Sequence, residues 1–141
     1  MRWKTMLRDL PGRTAAGAFI LNSGLSKRSA DAETAEHLHG MASGTYPFVK
    51  NLDAQTFTRL VSAGEITLGT VLLLPVVPTA VAGAGLAAFA GGLFGLYLRT
   101  PGMRQEGSLR PTPDGIALAK DTWLLGMGLG FVLDTVAGDR K

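Results

Sequence analysis

Residues 66–98 carry no charge over 33 consecutive positions, and the rest of the chain is arranged around that run. A helix needs only ~20 apolar residues to cross ~30 Å of hydrocarbon. The run is too long for one crossing, and Leu74-Pro75-Val76-Val77-Pro78-Thr79 stands where a break is needed. Proline withdraws an N–H donor and clashes with the preceding turn, so two prolines three residues apart predict a reversal. The pattern therefore predicts a helical hairpin with arms at 54–74 and 79–99, and Asp53 as the N-cap of the first arm.

Two further apolar stretches flank the hairpin. Residues 14–25 are apolar or small, and counted from Pro11 to Lys27 they span ~25 Å as a helix. A secretory signal competes for this stretch, with Ala30-Asp31-Ala32 as a cleavage-like site, but Lys27 and Arg28 stand between the apolar region and that site. The stretch is expected to be a retained span, 11–27. Towards the C-terminus, Thr112-Pro113-Asp114 has the form of an N-cap, an N1 proline and a first-turn acid, opening a span over 113–136. Residues 2–10 place Trp3, Met6, Leu7 and Leu10 on one helical face with Arg2, Lys4 and Arg8 mainly elsewhere. They suit either an interfacial amphipathic helix, turned off at Pro11-Gly12, or the plain start of the first span.

Between these spans lie two wet segments, 28–53 and 100–112. The first holds a helix-forming stretch at 30–41 and a loop-like one at 44–51. Charge is confined to the wet segments, the ends and the span edges, and only 18% of residues are charged against ~25% in soluble domains. The expectation is one domain over 1–141, all-α: an integral membrane four-helix bundle with an N-terminal interfacial amphipathic helix. Four spans put both termini on one side. Arg2, Lys4, Arg8 and Arg13 outweigh Lys27 and Arg28 across the first span, which predicts cytoplasmic termini in the plasma membrane.

Helices in lipid associate through small residues that let backbones approach. Gly83, Ala87, Gly91 and Gly95 form one i, i+4 ladder on the third span, and Ala80, Ala84, Ala88 and Gly92 form another beside it. With Gly126 and Gly130 on the fourth span, this predicts a central third helix contacted on two faces. The net charge of +3 comes without a basic stripe carrying interleaved aromatics, which excludes a nucleic-acid interface.

The polar residues at the span edges carry whatever chemistry the chain has. Asn22 and Lys27 end the first span, Arg59 and Glu65 begin the second, Tyr97 and Arg99 end the third, and Lys120 and Asp121 begin the fourth. All are expected near one rim, with the opposite rim almost purely apolar apart from Asp134. Ionisable groups within a bilayer face the bundle interior and pair. The cluster Asn22, Lys27, Arg59, Glu65, Arg99 and Asp121 thus suits either a buried ion-pair network or a pocket for a headgroup, a quinone ring or a small anion. His37 and His39, near Glu33 and Glu36, lack the spacing of a metal site, so no metal is expected. Cysteine is absent, which removes disulfides and thiolate ligands, and no P-loop or nucleophile–base motif occurs.

Three segments, Gly17-Ala18-Phe19-Ile20-Leu21-Asn22-Ser23-Gly24-Leu25-Ser26-Lys27, Gly64-Glu65-Ile66-Thr67-Leu68-Gly69 and Ala119-Lys120-Asp121-Thr122-Trp123-Leu124-Leu125-Gly126, resemble the DoxX family of small four-span membrane proteins. That resemblance covers most of residues 13–136. It implies a four-helix membrane bundle, associated in some members with quinone-linked or thiol-related oxidoreductases, and makes Lys27, Glu65 and Asp121 candidates for a shared polar site. Two functions follow as expectations. One is a non-catalytic structural or accessory subunit of a larger membrane complex, without an intrinsic cofactor, its partners being the bilayer and other subunits or copies of itself. The other is a DoxX-like oxidoreductase component binding a quinone or another lipid-soluble ligand near Glu65 and Asp121.

Overall fold

The computed structural model describes residues 2–138, apart from the side chains at 2, 3, 5, 6, 117 and 138. The C-terminal tail at 139–141, and the Trp3 and Met6 side chains of the expected amphipathic face, lie outside the described residues. The fold is all-helical, with no strand among the described residues.

Helix α1 (Arg2–Arg28) is continuous and contains Pro11 in its interior. The expected turn at Pro11-Gly12 is therefore absent. A proline removes one i→i−4 bond, but tertiary contacts hold the helix just beyond it. A β-carbon at Gly12 would meet the Phe131 ring at 3.1 Å, and Arg13 is fixed by five hydrogen bonds. Helix α2 (Ala32–Thr45) starts at Asp31, whose carboxylate accepts from the Thr34 N–H at 2.8 Å. A 3-10 turn (Pro47–Asn51) leads into α3 (Ala54–Leu73), capped by Asp53 as expected through the Thr56 N–H. These two carboxyls are held below the usual 3.8, Asp31 chiefly by the Thr34 backbone N–H and Asp53 chiefly by its hydrogen bond with Thr56.

The double-proline segment forms a tight turn, and α4 (Thr79–Arg99) follows with Pro78 as its N-cap. Among the described residues α4 is the one helix long and apolar enough to cross a membrane. After it, residues 100–115 form a closed loop. The Thr112 N–H bonds to the Met103 carbonyl at 3.0 Å, and a β-carbon at Gly115 would sit 1.8 Å from that same oxygen. Gly102 and Gly107 supply its two positive-φ positions, at 84° and 69°.

That loop displaces the last helix. Thr112 caps only the turn at Gly115, a single turn α5 (Ile116–Ala119) follows, and the long helix α6 (Asp121–Gly138) starts eight residues later than the expected 113. The hydroxyl of Thr112, expected at a helix start, also donates to the Gly102 carbonyl, so the loop wins it.

The long helices pack as two tight antiparallel pairs, α1 with α3 and α4 with α6, while α3 and α4 touch only lightly. Glycines set both seams. A β-carbon at Gly69 would lie 2.7 Å from the Leu21 amide nitrogen, and one at Gly128 would lie 2.6 Å from that of Ala87. At Gly83 it would meet the Gly128 carbonyl at 2.8 Å. Gly91, Gly126 and Gly130, expected at helix contacts, have nothing within 4 Å of such an atom. Gly95 meets the Tyr46 hydroxyl rather than another span, and Tyr46 donates to the Gly92 carbonyl at 2.7 Å. Helix α4 is thus contacted by α6 along Gly83 and Ala87, and by the wet segment near its C-terminal end. Ala16, Ile20, Leu72, Ala82, Leu86, Ala90, Leu124 and Phe131 form the core shared by both pairs.

Candidate functional site

Gly24 allows α1 and α3 to approach where the acids lie. A side chain there would meet the Ile66 nitrogen at 2.8 Å and the Glu65 Cβ at 3.0 Å. In its absence the buried Ser62 hydroxyl donates to the Gly24 carbonyl at 2.6 Å. Glu65, only 4% exposed, then faces Lys27, one turn further along α1. The Lys27 ammonium stands 3.0 Å from Oε1 and 3.1 Å from Oε2, and donates to Ser23 Oγ at 2.6 Å. Asp121, half-buried at the first position of α6, is within electrostatic reach of both. An acid in the first turn of a helix faces free N–H groups and the positive end of the dipole.

Of the six residues expected to cluster, the structure brings together Lys27, Glu65 and Asp121. Asn22, Arg59 and Arg99 are exposed. Arg99 instead lines a cavity of about 290 Å³ with Leu98, Arg104 and Glu106. The trio is an ion pair with a second acid beside it. Both oxygens of the Glu65 carboxyl face the one ammonium, so its acceptor sites on that side are occupied by Lys27. Among the described residues no group of three His, Asp or Glu is placed to hold a metal ion. His39 Nε2 lies 3.0 Å from the Val49 carbonyl and its ring packs edge-on against Phe57.

No family model, curated protein or solved structure matches the chain.

The rim expected to be apolar holds a second polar centre. Arg13, 1% exposed, reaches from α1 to the turn between α3 and α4. Its Nε donates to Leu72 O at 3.0 Å; Nη1 donates to Val77 O at 2.9 Å and Thr79 Oγ1 at 3.2 Å; Nη2 donates to Val71 O and Leu74 O, both at 2.9 Å. Four of these acceptors are carbonyls at the C-terminal end of α3 and in the turn, where helix hydrogen bonding runs out, and the fifth is the Thr79 hydroxyl. Arg13, counted in the sequence among the basic residues that set the orientation, is thus spent inside the fold. Arg8 pairs with Asp134, and Asp9 is buried beside them. The signal in the sequence was the spacing Arg8, Asp9, Arg13 on one helix, which the proline break assumed at 11 concealed.

Proposed function

We propose that this chain is a small multi-pass membrane protein, crossing with residues 11–27 of α1 and with α3, α4 and α6, and that it acts as a non-catalytic structural or accessory subunit of a larger membrane complex. The observation that carries this reading is an inside-out distribution of polarity. Phe19 and Leu25 on α1, Leu60 on α3, Val81 on α4, and Trp123, Leu129 and Leu133 on α6 are all exposed, while Arg13, Thr58, Ser62 and Glu65 are buried. A bundle in water buries the first set and exposes the second; a bundle in hydrocarbon does the reverse. Arg2, Lys4 and Arg8 before the first span favour cytoplasmic termini in the plasma membrane.

The Lys27–Glu65 pair suits the accessory role, because a satisfied ion pair fixes how α1 and α3 register. Alkaline or urea extraction of membranes tests the first part. The protein is expected to stay in the pellet and to require detergent, and release without amphiphile overturns the reading. Purification in gentle detergent followed by mass spectrometry tests the second, the expected result being a defined set of membrane partners that is unchanged by Glu65→Gln.

One observation favours the quinone-binding alternative that the DoxX resemblance implies. An open groove of about 540 Å³ lies between α3 and α4, lined by Ala63, Gly64, Leu68, Val71, Val81 and Phe89 among others. Its size and apolar walls suit a lipid-soluble ring. Quinone-dependent turnover that Gly64→Leu abolishes would favour this alternative over the accessory role.

A further inference from the structure

A guanidinium has five N–H donors, and those of Arg13 are all engaged by the turn between α3 and α4. None remains for Asp9, one turn earlier on α1. Asp9 is only 8% exposed, and its Oδ2 is buried without a hydrogen-bond partner. What it meets is a second acid. Across the joint stands Asp134 on α6, whose Oδ1 is taken by Arg8, the residue next to Asp9, and whose own Oδ2 is likewise buried without a partner. Two carboxyls buried at one joint do not both ionise readily, and one proton shared between them would convert repulsion into an O–H···O bond.

We propose that Asp9 and Asp134 form a single proton-binding site, a carboxyl–carboxylate pair that holds the N-terminal turns of α1 against the C-terminal turns of α6. This inference stands apart from the membrane reading and does not rest on it. The other charged groups facing the pair are Arg8 and Arg13 on α1. Helix α6 brings only Asp134 to this end among the described residues, and the turn 74–78 carries no ionisable side chain. Burial first, then contact with Asp134, pushes the Asp9 carboxyl up to about 6, against the opposing pull of Arg8 and Arg13. When the proton leaves to solvent, two carboxylates face each other across the joint. Arg8 bonds to one of them only, and the arm of α1 before Pro11 loosens from α6.

The chain has no cysteine, so Lys4→Cys and Ala137→Cys, both at exposed positions, give two unambiguous spin-label sites in the full chain. Electron–electron distance measurements near pH 5 and near pH 8 are expected to show a narrow distribution at the lower pH and a longer, broader one at the higher. Asp9→Asn keeps a donor towards Asp134 without a titrating proton, and its distribution is expected to stay narrow at both. The proposal is overturned by a distribution in the unmodified pair that does not change with pH, or by an Asp9→Asn protein that responds as the parent does. The first comparison needs no Asp9 variant, so the test holds even if Asp9→Asn fails to fold.

Discussion

Gly69 of α3 and Leu21 of α1 meet backbone to backbone, with room at Gly69 for a hydrogen and nothing larger. The same is true of Gly128 and Ala87 across the other seam. Gly69→Ala and Gly128→Ala should each destabilise the fold by about 1–3 kcal/mol, the range for overpacking against an atom that cannot yield. Gly126→Ala and Gly130→Ala, with open space around them, should be neutral or stabilise by up to about 1 kcal/mol through reduced backbone freedom. Thermal midpoints of the four variants in one detergent check this; equal losses in both sets would remove the seams from the account.

Lys27 and Glu65 are predicted to be strongly coupled. Lys27→Met alone leaves a buried carboxylate without a counter-ion, a loss of roughly 3–5 kcal/mol for a buried pair, somewhat less here because Lys27 keeps partial exposure. Adding Glu65→Leu should recover most of that loss, since replacing both charges with apolar groups is close to neutral. A double-mutant cycle measures the coupling, and additive single losses would show that the pair contributes little.

Arg13 should be among the least replaceable residues. Arg13→Met strands several buried oxygens at about 1–3 kcal/mol each and is expected to prevent accumulation of folded protein. Arg13→Lys keeps the charge but offers three donors in place of five, so it should fold with a clearly lowered thermal midpoint. A lysine variant as stable as the parent would contradict the five-bond arrangement.

The caps give a pH dependence of known sign. Asp31 and Asp53 titrate below the usual 3.8, so the stability they lend is present above that value and is lost as pH falls through their lower folded values. Protection of the first-turn amides of α2 and α3, taken relative to the intrinsic exchange rate at each pH, should therefore fall at the acid end, and Asp31→Asn and Asp53→Asn should flatten that dependence. Asp9 carries the opposite sign. Its raised carboxyl adds stability below 3.8 that is lost as pH rises through about 6.

The hairpin was legible because its signals are local: a charge-free run, two prolines, an Asp before a helix former. Lys27 and Glu65 were legible because an acid and a cation inside apolar stretches have few places to go. What escaped depends on distant partners. Pro11 breaks a helix in isolation, and only Phe131 against Gly12 and the hairpin carbonyls on Arg13 keep this one whole. The start of α6 was hidden in the same way, since Thr112 suits an N-cap until the Gly102 carbonyl takes its hydroxyl. Gly126 and Gly130 share the composition of a packing face with Gly128, and only the rotation of α6 shows which of the three lies at the seam.

Arg13 also ties the bend between α3 and α4 to a distant part of the chain. The five oxygens it satisfies all come from residues 71–79, which leave the ribosome some sixty positions after it does. The reversal between α3 and α4 is therefore completed by a helix made earlier, which supplies donors that the hairpin's own segment lacks.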